Sequence, residues 1–229
     1  MEAAKKKAVI VGASGLIGSE LLDLLLKNDS YAEVLSLVRK EKPIQHPKLT
    51  QIVVDFEQLA TYSNLITGHT VFSCLGTTKK QTPDTQLYYK IDHDYPVLLA
   101  RLAAANQVAQ FHYVSAPGAD SKSLIFYSRT KGDAEADLKK SGIRTLYLYQ
   151  PSLLTGERKE HRFMEQIAER IMKVIDPVLV GSWKKYRSIS GKSVALAMLR
   201  RSLVPDVGVF TLASDQIQEI ADADNKIML

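Results

Sequence analysis

The chain is expected to fold as an α/β protein on one doubly wound parallel sheet, and three observations carry that expectation. Short apolar runs alternate with stretches that place leucine and alanine at helical spacing, the rhythm of repeated strand–helix units. The first run, Val9-Ile10-Val11, has no polar alternation, as befits a parallel strand buried on both faces. It leads directly into glycines at positions 12, 15 and 18, and leucines at helical spacing follow over 20–27. Strand, glycine turn and helix in that order form the setting a phosphate-binding turn needs.

The turn Gly12-Ala13-Ser14-Gly15-Leu16-Ile17-Gly18 is the first candidate site. Gly12 allows a sharp bend, Gly15 lets backbone approach a pyrophosphate, and Gly18 lets the helix lie close to the sheet. The helix start adds free N–H groups and the positive end of its dipole. Further strands are expected at Val34–Val38, Gln51–Val54, Thr70–Leu75, Gln110–Ser115 and Arg144–Tyr149. Pro43 and Pro47 exclude a regular helix between the second and third of the chain's strands. Helices are expected over 57–66, beyond the polar loop 79–84, and over 125–140, the last stopped by Ser141-Gly142. From Pro151 the rhythm changes. A charged loop 155–162, a helix 164–174, a loop carrying Trp183 and Tyr186, a helix 194–203 capped by Ser190 and a strand 209–212 are expected. Residues 1–229 are therefore one domain, with 151–229 expected to form a small substrate-side lobe over the mouth of the sheet.

Composition narrows the class. Hydrophobic residues make up 45% and charged residues 24%, as in ordinary globular chains, and the net charge of +5 is spread along the sequence. Cys74 is the single cysteine, which excludes an internal disulfide and argues against a cysteine zinc site. No apolar run reaches the roughly 20 residues of a spanning helix, and the N-terminus has no apolar signal core. A cytoplasmic protein without membrane or nucleic-acid partners is the expectation, since no basic helix or aromatic platform stands out. No metal ligand set is expected, because His93 and His112 lack partners at ligand spacing.

Tyr127 and Lys131 are four residues apart on an expected helix and share one face. An ammonium beside a phenol favours phenolate, so the tyrosine pKa is expected below its reference near 10. Such a tyrosine exchanges protons with a substrate hydroxyl or carbonyl. Ser115, at the carboxyl end of the fifth strand, lies where open α/β sheets bind ligands and can hydrogen-bond the same oxygen. Arg39 ends the second strand, where an NAD enzyme places a carboxylate on the ribose. Its planar donors suit a 2′-phosphate instead, with Lys40 adding charge, so NADP(H) is favoured over NAD(H). Asp92 and Asp94 are expected to cap or face solvent, Cys74 to fill the core, and Lys184–Arg187 to form a solvated basic loop.

With these residues the chain resembles the short-chain dehydrogenase/reductase superfamily on an NAD(P)-binding Rossmann fold. Finer motifs are Cys74-Leu75-Gly76-Thr77-Thr78, Asp92-His93-Asp94-Tyr95, Val114-Ser115-Ala116-Pro117-Gly118, Lys131-Gly132-Asp133-Ala134-Glu135 and Pro151-Ser152-Leu153-Leu154-Thr155-Gly156. They resemble an atypical branch of small proteins similar to the Tat-interacting tumour-suppressor oxidoreductase and its bacterial relatives. The resemblance implies Asp55 and Phe56 near the adenine, Leu75, Gly76 and Thr77 along the cofactor backbone, and Pro151, Ser152 and Leu153 near the nicotinamide. It departs at Gln150, where the family usually has arginine, and at Ser193, where an aspartate usually opens an Asp-Val-Ala element. The implied function is an NADP(H)-dependent oxidoreductase acting on a carbonyl or alcohol. Tyr127 is then the acid/base, Lys131 its modifier and ribose contact, and Ser115 the oxygen stabiliser. The alternatives are a non-catalytic NADPH-binding regulator with a protein partner, and an NAD(P)-dependent epimerase or dehydratase.

Overall fold

A computed structural model describes residues 5–155 and 187–223. The helix expected over 164–174, the loop with Trp183 and Tyr186, most of the charged loop, and Lys184 to Tyr186 of the basic loop lie outside the described residues.

The apolar runs become β1 (Lys6–Val11), β2 (Tyr31–Val38), β3 (Leu49–Val53), β4 (Thr70–Ser73), β5 (Gln110–Val114), β6 (Thr145–Gln150) and β9 (Gly208–Ala213). All pair in parallel, in the order β3-β2-β1-β4-β5-β6-β9. The period-2 alternation of a strand sends neighbouring side chains to opposite faces. Ala8, Ile10, Val34, Phe72, Tyr147 and Tyr149 enter one core; Val9, Val11, Leu35, Val71, Phe111, Tyr113 and Leu148 enter the other.

The first core is covered by α1 (Leu16–Lys27), α5 (Gly191–Ser202) and α6 (Ser214–Asp222). In α1, Ile17, Leu21, Leu22, Leu25 and Leu26 are buried on one stripe, each worth about 1.5–3 kcal/mol of apolar burial. The second core is covered by a 3-10 segment (Phe56–Leu65), α3 (Tyr95–Ala105) and α4 (Phe126–Leu138). Gly142 ends the α4 connection at φ +83°, the left-handed stop its sequence predicts.

The long helix expected after the polar loop is present and carries a π-helical turn: α2 (Thr85–Tyr89), the turn (Lys90–Asp94) and α3 follow one another with helical dihedrals at each junction. The cause is Pro96. In an α-helix its N–H would bond the Asp92 carbonyl, and proline has none; the Tyr113 hydroxyl donates to that carbonyl instead, at 2.7 Å. In the tail, among residues 187–223, β9 completes the main sheet beside β6 and α5 packs on α1; residues 156–186 of the expected lobe lie outside the described residues. Apolar Val194, Ala195, Met198 and Leu199 are what seat α5 there. A two-stranded parallel pair, β7 (Leu154–Thr155) with β8 (Ile189–Ser190), lies beside the main sheet. Ser190 caps α5 as expected, accepting from the Ser193 N–H at 2.9 Å.

Candidate active site

Since every strand runs the same way, the residues just past each strand share one edge of the sheet. The glycine turn after β1, Arg39 after β2, Asp55 after β3, Leu75–Thr77 after β4, Ser115 after β5 and Pro151 after β6 all meet there. The strand order reverses between β1 and β4, and ligands of open α/β sheets bind at such a switch point.

The glycines divide their work. Gly12 has φ +78°, and a Cβ there would run into the Cys74 carbonyl of the neighbouring loop. A Cβ at Gly18 would strike the Gly12 carbonyl, so these two serve close packing within the protein. Gly15 is different: the nearest atom to a Cβ there is 3.5 Å away, and it stands at the α1 N-cap with no side chain capping the helix. The α1 start therefore presents unclaimed N–H groups on a backbone open to approach. Ala13 is buried, Ile17 joins the first core, and Ser14 is exposed. Arg39 and Lys40 are both exposed immediately past β2. This uncapped helix start with an exposed arginine beside it fits a phosphate-bearing dinucleotide.

Other expected contacts are more committed. Asp55 accepts from the Glu57 N–H at 2.9 Å, and Phe56 packs on Tyr95 at 5.5 Å. Gly76 is exposed and Leu75 half-buried. Thr77 is tied down, its N–H donating to Asp92 Oδ2 at 3.0 Å and its carbonyl accepting from the Tyr88 hydroxyl at 3.3 Å. Pro151 is buried, the Ser152 N–H donates to Ser214 Oγ at 2.7 Å, and Leu153 is exposed.

The chemical corner is built around Lys131, which is 3% exposed. Its Nζ lies 2.9 Å from Asp92 Oδ1 and donates to the Tyr113 hydroxyl at 3.0 Å and the Val114 carbonyl at 3.2 Å. Two of the ammonium's donors are thus hydrogen-bonded, and the Asp92 carboxylate adds an ion pair. Burial works against the lysine's charge; Tyr113, Asp92 and Tyr127 more than restore it, so its pKa is raised. Burial likewise pushes the Tyr113 phenol up to about 12. Tyr127, 43% exposed, sits one turn before Lys131. Its expected low pKa is corrected: the pKa is raised, because burial leads, and Asp92 opposes the lowering by Lys131.

Ser115 is buried and donates to Glu135 Oε1 at 2.5 Å. Gln150 Nε2 reaches the same oxygen at 2.8 Å, so the residue that replaces the family's arginine joins the serine's partner. Asp92 is 1% exposed and neither a cap nor solvated, which corrects the expectation for it. The local signal for its place was Pro96, beside which the helix widens into a π turn. His93 lies 2.7 Å from Asp94 Oδ1 and stacks on Tyr89 at 4.5 Å. His112 lies on the opposite face of the sheet from Lys131, and Cys74, just past β4, has its thiol pushed up to about 12 by burial.

Comparison with known proteins identifies the family. An NAD(P)H-binding family model matches residues 12–200. Protein HTATIP2 of Rattus norvegicus is 30% identical over 92% of this chain and 87% of its own length. The mitochondrial protein fmp52 of Emericella nidulans is 28% identical over 83% of this chain and 86% of its own. The mitochondrial FMP52 of Candida glabrata is 30% identical over 69% and 67%. These fungal relatives are named as mitochondrial, which overturns the expectation of a cytoplasmic protein. Among solved structures, the Bordetella bronchiseptica enzyme WbmH in complex with NAD+ superposes with TM-score 0.69 at 18% identity, over 95% of this chain and 79% of its own. A UDP-N-acetylglucosamine 4-epimerase from Methanobrevibacter ruminantium M1 does so with TM-score 0.68 at 17%, over 91% and 76%. These two likenesses are of fold. No described helix is long and apolar enough to cross a membrane. The chain belongs to the NAD(P)H-binding family, on a Rossmann-like α/β fold, and is a homologue of Protein HTATIP2 at 30% identity.

Proposed function

We propose that the chain is an NADP(H)-dependent oxidoreductase acting on a carbonyl or alcohol. The observation that carries the reading is the shared edge: an uncapped α1 start with exposed Arg39 beside it, and Tyr127 with buried Lys131 farther along. The α1 N–H groups and Gly15 hold the pyrophosphate, Arg39 and Lys40 take the 2′-phosphate, and the Leu75–Thr77 loop lies along the cofactor. Pro151 to Leu153 lie beside the nicotinamide, and Asp55 and Phe56 lie near the adenine. When bound, the cofactor supplies the hydride acceptor or donor. Tyr127 moves the proton at the substrate oxygen, Ser115 steadies that oxygen through its Oγ, and Lys131, paired with Asp92, stands one turn on from the phenol.

The test has two arms. NADPH is expected to bind more tightly than NADH by on the order of 1.5–3 kcal/mol, the worth of a charge-assisted pair, and Arg39→Asp erases the preference. Equal dissociation constants in the wild type sink the NADP(H) assignment. In a carbonyl screen read by loss of reduced-nicotinamide absorbance, Tyr127→Phe lowers turnover roughly 100-fold or more while leaving cofactor affinity nearly unchanged.

One observation favours the second reading, a non-catalytic NADPH-binding regulator. Lys131 is held by Tyr113, the Val114 carbonyl and the Asp92 carboxylate, and Ser115 donates its hydrogen bond to Glu135. NADPH binding without turnover in that screen, together with an NADPH-dependent affinity for a protein partner, decides for it. The epimerase or dehydratase alternative has only the likeness of fold in its favour.

A further inference from the structure

Tyr127 is not the first residue Lys131 serves. The three groups in reach of its ammonium are Asp92, Tyr113 and the Val114 carbonyl. Asp92 is the unusual one among them. Its Oδ1 meets the lysine at 2.9 Å and its Oδ2 accepts from the Thr77 N–H at 3.0 Å, so one carboxylate links the loop after β4 to the chemical corner. Its own carbonyl, left without a helical donor by Pro96, is held by Tyr113, which also receives the lysine. The carboxylate is therefore fixed through both oxygens and the residue also through its backbone, with 1% of its surface exposed.

We propose that Asp92 is a positioning residue with two separable jobs: its charge sets how much of the Lys131 charge reaches Tyr127, and its second oxygen anchors the Thr77 loop. The proposal rests on the reading of Tyr127 as the acid/base group and of that loop as cofactor-lining. With Asp92 charged, the Lys131–Asp92 pair is close to neutral as seen from the phenol, and burial leaves Tyr127 protonated. Removing the carboxylate charge while keeping an acceptor oxygen uncovers the lysine and favours phenolate. The titratable groups facing this corner are Tyr88 from α2, Asp92 from the π-helical turn, Tyr113 from β5, and Tyr127 and Lys131 from α4. Lys79 and Arg129 lie beyond them, over the Phe126 ring at 5.7 and 6.0 Å.

The experiment titrates Tyr127 in protein without cofactor or substrate, by the ring-carbon NMR shift of labelled tyrosine, with Tyr127→Phe identifying the signal. Asp92→Asn is expected to lower the Tyr127 midpoint by about one pH unit and to leave the NADPH dissociation constant within about three-fold, since the amide oxygen still accepts from Thr77. Asp92→Ala lowers the midpoint as well and weakens NADPH roughly ten-fold, the worth of a lost anchor. A Tyr127 midpoint unmoved in Asp92→Asn overturns the charge role, and NADPH binding unchanged in Asp92→Ala overturns the anchoring role. If the single variants do not fold, the double Asp92→Asn, Lys131→Met, which leaves no lone buried charge, is read instead. A midpoint close to wild type supports the proposal; a midpoint raised as for a lysine lost alone overturns it. A chain that binds no NADPH removes the proposed function, while the cofactor-free titration still decides the charge role.

Discussion

His112 and Tyr113 are neighbours on β5, and the pleat sends them into different worlds. His112 enters the first core, stacked on Tyr147 at 4.7 Å, with Nδ1 3.0 Å from the Tyr149 hydroxyl and Nε2 3.1 Å from Gln110 Oε1. No carboxylate is among those partners, and burial holds its pKa well below the ordinary value, so the ring stays neutral. Tyr113 enters the second core, where its hydroxyl meets Lys131 at 3.0 Å and the Asp92 carboxylate lies 2.9 Å from that ammonium. Burial penalises charge equally on both faces. What differs is the counter-ion. A buried cation next to a carboxylate keeps its proton, whereas a buried imidazole among phenols and amides gives its proton up. The neutral imidazole holds a strand in place; the ion pair stores charge beside an exposed phenol, where it can act on chemistry.

The comparison breaks most visibly if one member of the ion pair is removed. Lys131→Met leaves Asp92 buried alone and is expected to cost about 3–5 kcal/mol of unfolding free energy. The double variant with Asp92→Asn should cost clearly less, read by denaturant midpoints. Equal losses in the single and the double mean that the pair is not coupled. On the other face, His112→Leu orphans the Tyr149 hydroxyl and Gln110 and is expected to cost about 1–3 kcal/mol.

The same variant sharpens the comparison through pH. The folded pKa of His112 is depressed, so the unfolded chain binds the extra proton; stability is full above the unfolded value near 6.5 and falls as pH drops below it. His112→Leu should flatten that acid limb. Lys131 has the opposite sign. Its folded pKa is raised, so its contribution is full below the unfolded value of about 10.4 and is lost at alkaline pH, rising through the folded pKa. An acid limb unchanged by His112→Leu assigns that limb to other groups. The smallest effect is expected of Tyr149→Phe, about 0.5–1.5 kcal/mol from one hydrogen bond. It should leave the Tyr127 titration where it was; a shift there would mean that the two faces communicate across the sheet.

Much of the fold was legible because it is local. Val9 to Val11, three glycines and a leucine stripe are read within twenty-odd residues, and the turn they form has Gly12 at positive φ and Gly15 open. Spacing alone put Tyr127 and Lys131 on one helix, and the strand ends placed Arg39 and Ser115 at the edge where the parallel sheet gathers them. The strand of the tail was legible too, but not its place. Val209 to Leu212 looks the same as an edge of a lobe or as a seventh strand, and only pairing with β6 decides.

The amino-acid sequence by itself determined the alternation of strands and helices, the glycine turn and the types of residue available at the sheet's edge, since each depends on backbone geometry and side-chain spacing over a few turns. Only the tertiary structure decided what those residues do to one another. Four-residue spacing puts Lys131 on the face of Tyr127, but the ammonium is held by Asp92, Tyr113 and a backbone carbonyl brought in by other elements. Ser115 likewise turns to Glu135, and Gln150 joins it there. A pKa is a sum over every charge and every missing water around a group, and that sum does not exist until the distant parts of the chain have met.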